Sequence, residues 1–233
     1  QQAYSSRLEY NRQKGIDYRN WGMYGLSVGL MPGGLGRQRE GGIMSVAVAK
    51  LTEALSSPKT VAEASLPTGL PESPGLYAWW LNDPQKLPMV PLTPHKNGLC
   101  LIYVGIARSR AQSSQTLRSR ILGKDLRGVI GNSTLRRSLA ALLWETHGWR
   151  PYWATDRAML RPRHHEELRD WMESNLQVAW LAFPEPWTVE APLIEQMQPP
   201  LNLSHNHNHP FHSDLRAARA CLDVNASETP PAS

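Results

Sequence analysis

Four side chains that could together act on a phosphate are spread through the middle of the chain. Two tyrosines, Tyr77 and Tyr103, each lie in a short apolar run and are followed by Arg120 and, much later, by Glu190. Hydrolysis of a phosphodiester needs an aligned water, positive charge against the phosphate and help for the leaving oxygen. An arginine supplies positive charge, and one divalent metal held by a carboxylate supplies part of the other two. The residue types therefore allow metal-assisted cleavage of a phosphodiester bond.

Each of these residues also has a plainer interpretation when it is taken alone. A tyrosine in a strand is usually a core-edge residue, and a single arginine on a helix is more often a surface charge. Glu190 could be a helix-start carboxylate that the helix dipole favours. Asn202, which follows 12 residues later, could be a turn residue. The chemical interpretation therefore depends on all these residues meeting in one place.

The elements predicted around these residues could bring them together. Leu76 to Leu81 and Leu99 to Ile106 are predicted strands separated by a proline-rich loop, so we expect a hairpin. A modest register offset would put both tyrosine hydroxyls on one side of it. Leu117 to about Leu122 starts a basic helix that carries Arg120, and the glutamate stands at the entry to a short helix over Pro192 to Met197.

The remaining pattern predicts a mixed fold. Ser133 is a good N-cap for a helix over Thr134 to His147, whose leucines line one face. His164 to Leu176 is a second amphipathic helix, and Val178 to Phe183 is a third strand. We therefore predict an α/β (α+β) domain, with a small three-stranded, mainly antiparallel sheet flanked by helices.

We expect four stretches along the chain. Residues 1–43 are predicted to be a disordered, glycine-rich extension, and whether it belongs to the native protein is left open. Residues 44–73 are predicted to form a short helix and a proline- and serine-rich connector. The compact domain is expected over 74–215, and a polar C-terminal tail over 216–233.

The charge of the chain favours a nucleic-acid partner. The formal net charge is +5, and residues 107–163 hold 12 Lys and Arg residues against three acids. Such a surplus suits a phosphate-binding face, although it also describes a solubilising surface rich in arginine. Cys100 and Cys221 form no disulfide framework or metal-ligand spacing, and there is no long apolar stretch or signal peptide. We expect a cytoplasmic protein that does not enter a membrane.

Two triplets and two later motifs resemble the GIY-YIG nuclease domain in their order and spacing. The triplets are Gly75-Leu76-Tyr77 and Tyr103-Val104-Gly105, each one conservative change from the family's own. The family's Leu-x-x-Arg pattern matches Leu117 to Arg120. Its Glu-x-x-Leu-Ile…Pro-x-x-Asn segment matches Glu190 to Asn202.

The resemblance implies a role for each residue. Glu190 would ligate Mg²⁺ or Mn²⁺, and Arg120 would brace the scissile phosphate. Tyr77 and Tyr103 would position or deprotonate the water, and Asn202 would hold the site together or contact phosphate. The residues expected to support the site or to bind nucleic acid are Gly75, Gly105, Arg118, Lys124, Arg136, Arg137 and Asn202.

The resemblance therefore implies an endonuclease that hydrolyses phosphodiester bonds of DNA with one divalent cation. A non-catalytic nucleic-acid-binding module on the same scaffold is the alternative, and a protein-interaction role is another. Preference for DNA, RNA or branched nucleic acid is left open, as are a restriction, repair or mobile-element role and a homodimer. Segments 133–139 and 206–212 are similar to a bacterial subgroup of the family whose biological role is undefined.

Two departures from the family pattern concern the proton path. Many members carry His or Tyr one helical turn after the arginine, where this chain has Lys124, and the gap from Gly105 to Arg120 is longer than usual. Lys124 would share a helix face with Arg120. Because positive charge favours a phenolate, one hypothesis is that Lys124 assists a tyrosine, and a plain phosphate contact is the other.

Two histidine-rich segments invite a metal interpretation. The run from His164 to Glu167 lacks the spacing of a zinc site and is predicted to be a helix start. The histidines of the second segment would lie on one side of an extended strand, where they could hold Zn²⁺. Its asparagines and proline favour a C-terminal brace or phosphate contacts instead. These histidines are His205, His207, His209 and His212.

Overall fold

The computed structural model describes residues 46–95, 98–154 and 156–228, so the predicted extension over 1–43 lies outside the described residues. The strands are β1 (Lys59–Thr60), β2 (Gly75–Leu81), β3 (Cys100–Ala107), β4 (Pro151–Ala154), β5 (Arg157–Leu160) and β6 (Leu176–Ala182). The helices are α1 (46–54), α2 (Val61–Ser65), α3 (Thr134–Leu143), α4 (Pro162–Asn175), α5 (Glu190–Met197) and α6 (His212–Glu228). A π-helix covers Ser119–Leu126, and short 3₁₀ turns cover Pro84–Lys86 and Pro186–Thr188.

One antiparallel sheet carries the fold, in the order β1-β6-β2-β3. The predicted fold class is confirmed, but the sheet has four strands where three were expected. The extra strand β1 is two residues long, and Lys59 and Thr60 pair with Val178 and Gln177 of β6. Two residues span only one period of strand alternation. A strand of this length therefore leaves no recognisable pattern in the sequence.

A separate hairpin of β4 and β5 was not predicted. Its register runs from Pro151 opposite Leu160 to Ala154 opposite Arg157. Pro151, Ala158 and Leu160 are buried, whereas Trp153 and Arg157 are exposed. Each strand has only four residues, so its alternation is too short to give a strong strand signal.

Alternate residues of β2 divide between the two covered faces of the main sheet. Tyr77 and Trp79 belong to the larger core cluster, to which α3, α4 and α6 contribute. Leu76 and Ala78 belong to the second cluster, to which α1 and α5 contribute. Since β2 lies between β6 and β3 and is covered on both faces, every residue of it is buried.

Helix α6 crosses the boundary predicted at residue 215. Leu215, Ala218, Leu222 and Ala226 recur every three or four residues and are at most 1% exposed. They join the larger core cluster, and α6 packs against α3. The polar residues that suggested a loose tail therefore belong to a helix with one buried face. The other domain bounds stay predictions. No helix in the described part of the chain has the length and apolar character needed to span a bilayer.

Candidate active site

The two motif tyrosines lie on neighbouring strands and in the same core cluster. Tyr77 of β2 is opposite Gly105 of β3, and Tyr103 is opposite Trp79. The ring centroids are 6.3 Å apart, and the rings are inclined at 38°. Tyr77 is fully buried and Tyr103 is 6% exposed. The hairpin therefore brings the two phenols together on one face of the sheet.

The glycines of the two triplets make room for this arrangement. A β-carbon on Gly105 would lie 2.5 Å from the hydroxyl oxygen of Tyr77. One on Gly75 would collide with the carbonyl oxygen of Leu181 and with the side chain of Leu117. Neither position can hold a side chain without moving the strands or the helix, so both glycines support the site by allowing close approach.

Arg120 reaches the tyrosines from the π-helix. Its Nε donates to the hydroxyl oxygen of Tyr77 at 2.9 Å, and its Nη2 lies 3.6 Å from Oδ1 of Asp125. The Arg120 side chain is 15% exposed, whereas Asp125 is fully buried. The guanidinium is therefore held between a phenol and a carboxylate while part of it stays open to solvent. Short π-helical turns are frequent at functional sites.

The π-helix brings Asp125 to Arg120, whereas Lys124 is exposed and is not among the charges that act on either phenol. In an α-helix the residue four positions on lies next to the first. The wider π turn uses a five-residue spacing, as in the hydrogen bond from Arg127 N to Leu122 O at 3.1 Å. The residue brought to Arg120 is therefore Asp125, and Lys124 is exposed. Lys124 stays a candidate phosphate contact.

Asp125 is a member of the site that the sequence reasoning missed. Its Oδ1 accepts a hydrogen bond from Ser133 Oγ at 2.7 Å. Its Oδ2 is buried and has no hydrogen-bond partner among the residues that the structure describes. Helical periodicity does not mark this position. The one hint in the sequence is that Asp125 is a rare acid within a strongly basic stretch.

Glu190, the first residue of α5, is half-buried and faces the same cluster. Burial raises the pKa of its carboxyl group, and the charges of His205 and Arg120 partly offset the rise. The Glu190 carboxylate in turn raises the pKa of Tyr103. Within the described ranges, the carboxylate has no hydrogen bond or ion pair. It is therefore available to a ligand.

Both phenols are held in their protonated form. Burial, and after it the charge of Asp125, raises the pKa of Tyr103 to about 12, against a smaller opposite effect of Arg120. The same two causes raise the pKa of Tyr77 well above its ordinary value. At neutral pH the two hydroxyls therefore donate and accept hydrogen bonds as neutral groups. Of the two roles expected for them, this favours positioning the water over deprotonating it.

Asn202 holds the edge of the sheet next to Tyr103. Its Nδ2 donates to the carbonyl oxygen of Val104 at 2.8 Å, and its Oδ1 accepts from Val104 N at 2.9 Å. Leu201 N also donates to Ile102 O at 3.0 Å. Since β3 is the last strand of the sheet, these bonds satisfy backbone groups on its open edge. Asn202 is 6% exposed, which fits the supporting role expected for it.

Arg136 is a structural residue. It is fully buried, and its guanidinium donates to the carbonyl oxygens of Asp125, Leu126 and His165. A side chain with no exposed surface cannot contact nucleic acid. The binding role that was one alternative for Arg136 is therefore wrong, and the supporting role fits.

Arg137 and Arg118 are also engaged within the protein. Arg137 Nη2 donates to both carboxylate oxygens of Asp223, at 2.8 and 2.6 Å, and so ties α3 to α6. Arg118 donates to the carbonyl oxygens of Leu66 and Pro67. Both side chains are about one-third exposed, so each keeps some surface for a phosphate contact.

The histidine-rich segment borders the site without forming a metal centre. His205 has a left-handed backbone (φ 58°). The charge of His205 offsets part of the rise that burial causes in the pKa of Glu190. In the part of the chain that the structure describes, no three His, Cys, Asp or Glu side chains are placed to hold a metal ion, so the zinc interpretation has no support. A groove of about 420 Å³ begins at His205. It is lined by Leu203, Ser204, His205, His207, His212 and Arg216.

The geometry agrees with a comparison against known families. The family model described as the GIY-YIG catalytic domain matches residues 75–221. The chain therefore belongs to the GIY-YIG family, and the resemblance drawn from its motifs is confirmed. Membership places it in a family of nucleases, whose substrates are nucleic acids and which generally use divalent metal ions. No curated protein and no solved structure matches the chain.

Proposed function

We propose that this chain is an endonuclease that hydrolyses phosphodiester bonds of DNA with the help of one divalent cation, Mg²⁺ or Mn²⁺. The observation that carries the proposal is the convergence of Tyr77, Tyr103, Arg120 and Glu190. Arg120 binds the hydroxyl of Tyr77, the charge of Glu190 acts on Tyr103, and the charge of Arg120 acts on Glu190. The four groups come from four separate elements and are linked by these contacts and charges.

The residues present fit a single hard cation. Mg²⁺ usually keeps several waters and binds through one or two carboxylates together with substrate phosphates. Glu190 offers one such carboxylate, half-buried and free of competing hydrogen bonds within the described ranges. When bound, the cation would polarise the phosphate and stabilise the leaving oxygen.

Arg120 supplies the fixed positive charge of the site. The transition state of the reaction concentrates negative charge on the non-bridging phosphate oxygens. A guanidinium has five N–H donors, and Arg120 uses Nε on Tyr77 while its Nη2 lies 3.6 Å from Asp125. The donors that remain can bind the phosphate as charge develops on it.

The two tyrosines take different parts: Tyr103 keeps some exposed surface and can orient the attacking water, whereas Tyr77 is fully buried and holds Arg120 through its hydroxyl group. As neutral hydroxyls, Tyr77 and Tyr103 can each accept or donate a hydrogen bond, but neither is a base at neutral pH. The water oxygen forms the new bond to phosphorus as the ester bond breaks; the water releases one proton to bulk solvent, and the departing oxygen takes up one proton from solvent. The phenol of Tyr103 holds the water in line for this displacement.

Two groups of basic residues could bind nucleic acid. The groove lined by His205, whose charge acts on Glu190, also contains Arg216. In the basic stretch that holds Arg120, the side chains of Arg110, Lys124 and Arg127 are exposed. Such groups bind phosphates without reading base sequence, so they indicate no preference among duplex, branched or single-stranded substrates. A homodimer and a cytoplasmic location stay predictions.

The proposal is tested by cleavage of supercoiled plasmid in Mg²⁺, Mn²⁺ or EDTA, with flap, single-stranded and RNA substrates alongside. Glu190→Gln should lower metal-dependent nicking at least about 100-fold, because it removes the ligand charge and keeps the shape. Glu195→Gln is the matched control, since Glu195 lies on the same helix and is exposed. Equal nicking by the wild type and Glu190→Gln would contradict the proposal. Salt-sensitive DNA binding without any cleavage would favour the non-catalytic binding module.

A further inference from the structure

The π-helix places a buried second carboxylate, Asp125, behind the arginine that is proposed to bind the phosphate. Asp125 is fully buried, although ionised carboxylates are almost never buried without a partner. Its Oδ1 lies 3.6 Å from Arg120 Nη2 and 2.7 Å from Ser133 Oγ. Its Oδ2 makes no hydrogen bond within the described ranges. A costly buried charge is thus only partly satisfied, and it lies against a guanidinium that is open on its other side.

We propose that Asp125 is a positioning residue for the nuclease reaction, which holds Arg120 in the orientation that binds the scissile phosphate. The inference rests on the proposed function. Arg120 is fixed at one point by Tyr77 and at a second by Asp125. Two anchors set both the place and the rotation of a planar guanidinium, whereas one anchor leaves it free to turn.

The remainder of the Asp125 environment shows why the carboxylate itself stays in place. Ser133 Oγ donates a hydrogen bond to the Asp125 carboxylate and accepts one from Arg136 N. The same side chain therefore caps α3 and holds the carboxylate in place. Arg136 donates to the backbone carbonyl oxygens of Asp125 and Leu126. The end of the π-helix is therefore held from α3, which fixes the Asp125 carboxylate beside Arg120.

The same contacts allow a purely structural explanation, in which Asp125 serves only to join the π-helix to α3. Two substitutions separate the explanations. Asp125→Asn removes the charge that acts on Arg120, while the amide oxygen can still accept from Ser133. Ser133→Ala removes the cap and the hydrogen bond between the elements, while the carboxylate keeps its charge beside Arg120.

The experiment is a double-mutant cycle in the full chain with Asp125→Asn, Arg120→Gln and the double variant, below the lowest Tm of the set. Cleavage is followed as single turnovers at excess enzyme, and Kd for a short duplex is measured in Ca²⁺. Asp125→Asn should lower kcat about 10- to 100-fold in the wild-type background, as loss of an orienting group does elsewhere. In the Arg120→Gln background it should change kcat and Kd less than threefold. Ser133→Ala should lower Tm at least as much as Asp125→Asn and lose far less kcat.

Two results would overturn the inference: Asp125→Asn with kcat within threefold of wild type, or equal losses from Asp125→Asn with and without Arg120. Failure of the proposed function looks different, because the wild type would then cut no DNA at all. The cycle in Kd still decides the inference in that case. Coupling of the two residues in duplex affinity supports it, and additive effects contradict it.

Discussion

Arg120 and Arg136 both contact Asp125, but they lie in regions of very different structure. Arg120 belongs to the π-helix Ser119–Leu126, where the backbone departs from α-helical spacing. Arg136 belongs to the regular helix α3, whose N-cap is Ser133. Arg136 is fully buried, whereas 15% of the Arg120 side chain is exposed. One acid thus serves a closed structural region and an open candidate active site.

The difference between the two arginines lies in how their donors are used. Arg136 donates hydrogen bonds to three backbone carbonyl oxygens, so its guanidinium interacts only with groups inside the fold. Within the described ranges, the Arg120 side chain makes one hydrogen bond, to Tyr77, and one ion pair, with Asp125, and keeps other donors on a partly exposed surface. A buried guanidinium whose terminal nitrogens bind backbone carbonyls stabilises structure, whereas a partly exposed one with free donors can bind substrate. The comparison therefore predicts that substitution of Arg136 mainly lowers stability and substitution of Arg120 mainly lowers cleavage.

The largest expected effect is on cleavage by Arg120→Gln. Loss of the positive charge that faces the phosphate should lower kcat about 100- to 1,000-fold, which is typical for removal of one transition-state contact. Tm should also fall, because the buried carboxylate of Asp125 loses the positive charge beside it, but the loss of cleavage should be the larger effect. Single-turnover cleavage and thermal unfolding of the same samples test both parts. A large fall in Tm with unchanged kcat would reverse the assignment of the two regions.

The next effect is on stability, by Arg136→Met. Methionine keeps much of the length of the side chain but leaves three carbonyl oxygens without their donor. Breaking such a buried polar cluster should lower the free energy of unfolding by about 3 kcal/mol. Urea unfolding measures this loss, and activity per folded molecule should fall less than in Arg120→Gln. If Arg136→Met were as stable as the wild type, the structural role of this region would be wrong.

A smaller effect on stability should appear at high pH and comes from Tyr103, which lies in the candidate active site. The pKa of Tyr103 is about 12 in the folded protein, above the ordinary value of 10.0. Below pH 10 both folded and unfolded chains keep this proton, so its contribution is fully present. Between pH 10 and pH 12 only the unfolded chain loses the proton, and stability falls. At pH 11 the stability lost in this way is about 1 kcal/mol.

Tyr103→Phe should remove that part of the alkaline fall. The free energy of unfolding of wild type and variant is compared by urea titration at pH 9 and pH 11. The wild type should lose about 1 kcal/mol more than the variant between the two pH values. Parallel losses would mean that the phenol of Tyr103 ionises freely in the folded state, and a role as base would then be open again.

The two regions also differ in how far the sequence predicts them. The N-cap at Ser133 and the leucines of α3 predict a regular helix, and the structure has this helix from Thr134 to Leu143. The π-helix has no such signature, because α- and π-helical turns use the same residue types and differ only in hydrogen-bond spacing. The motif and its spacing therefore predict Arg120 as a candidate, but not Asp125 as its neighbour.

Elsewhere in the chain, the sequence predicted those elements whose hydrophobic patterns are long and clear. The apolar runs of β2, β3 and β6 are long enough to predict strands, and the fold class followed from them. Strand β1 is too short to show a pattern, and the polar residues of α6 concealed a buried stripe that includes Leu222. The edge contacts of Asn202 depend on residues 98 positions apart, so only the folded chain displays them.

The smallest effect, on DNA affinity, is expected for Lys124→Met. It shows whether the functional part of the π-helix extends beyond Arg120. Lys124 lies on the π-helix with Arg120 but is exposed, and it is not among the charges that act on either phenol. As a phosphate contact it should add about threefold to DNA affinity, and its loss should reduce the slope of log K against log salt by about one. The kcat of bound DNA should change less than twofold. Because Arg127 follows three residues later and is also exposed, Arg127→Met should give a similar fall in affinity and serves as the matched variant. A sharp fall in kcat with unchanged affinity in Lys124→Met alone would instead mean that the lysine assists a tyrosine, and the π-helix would then present two functional side chains.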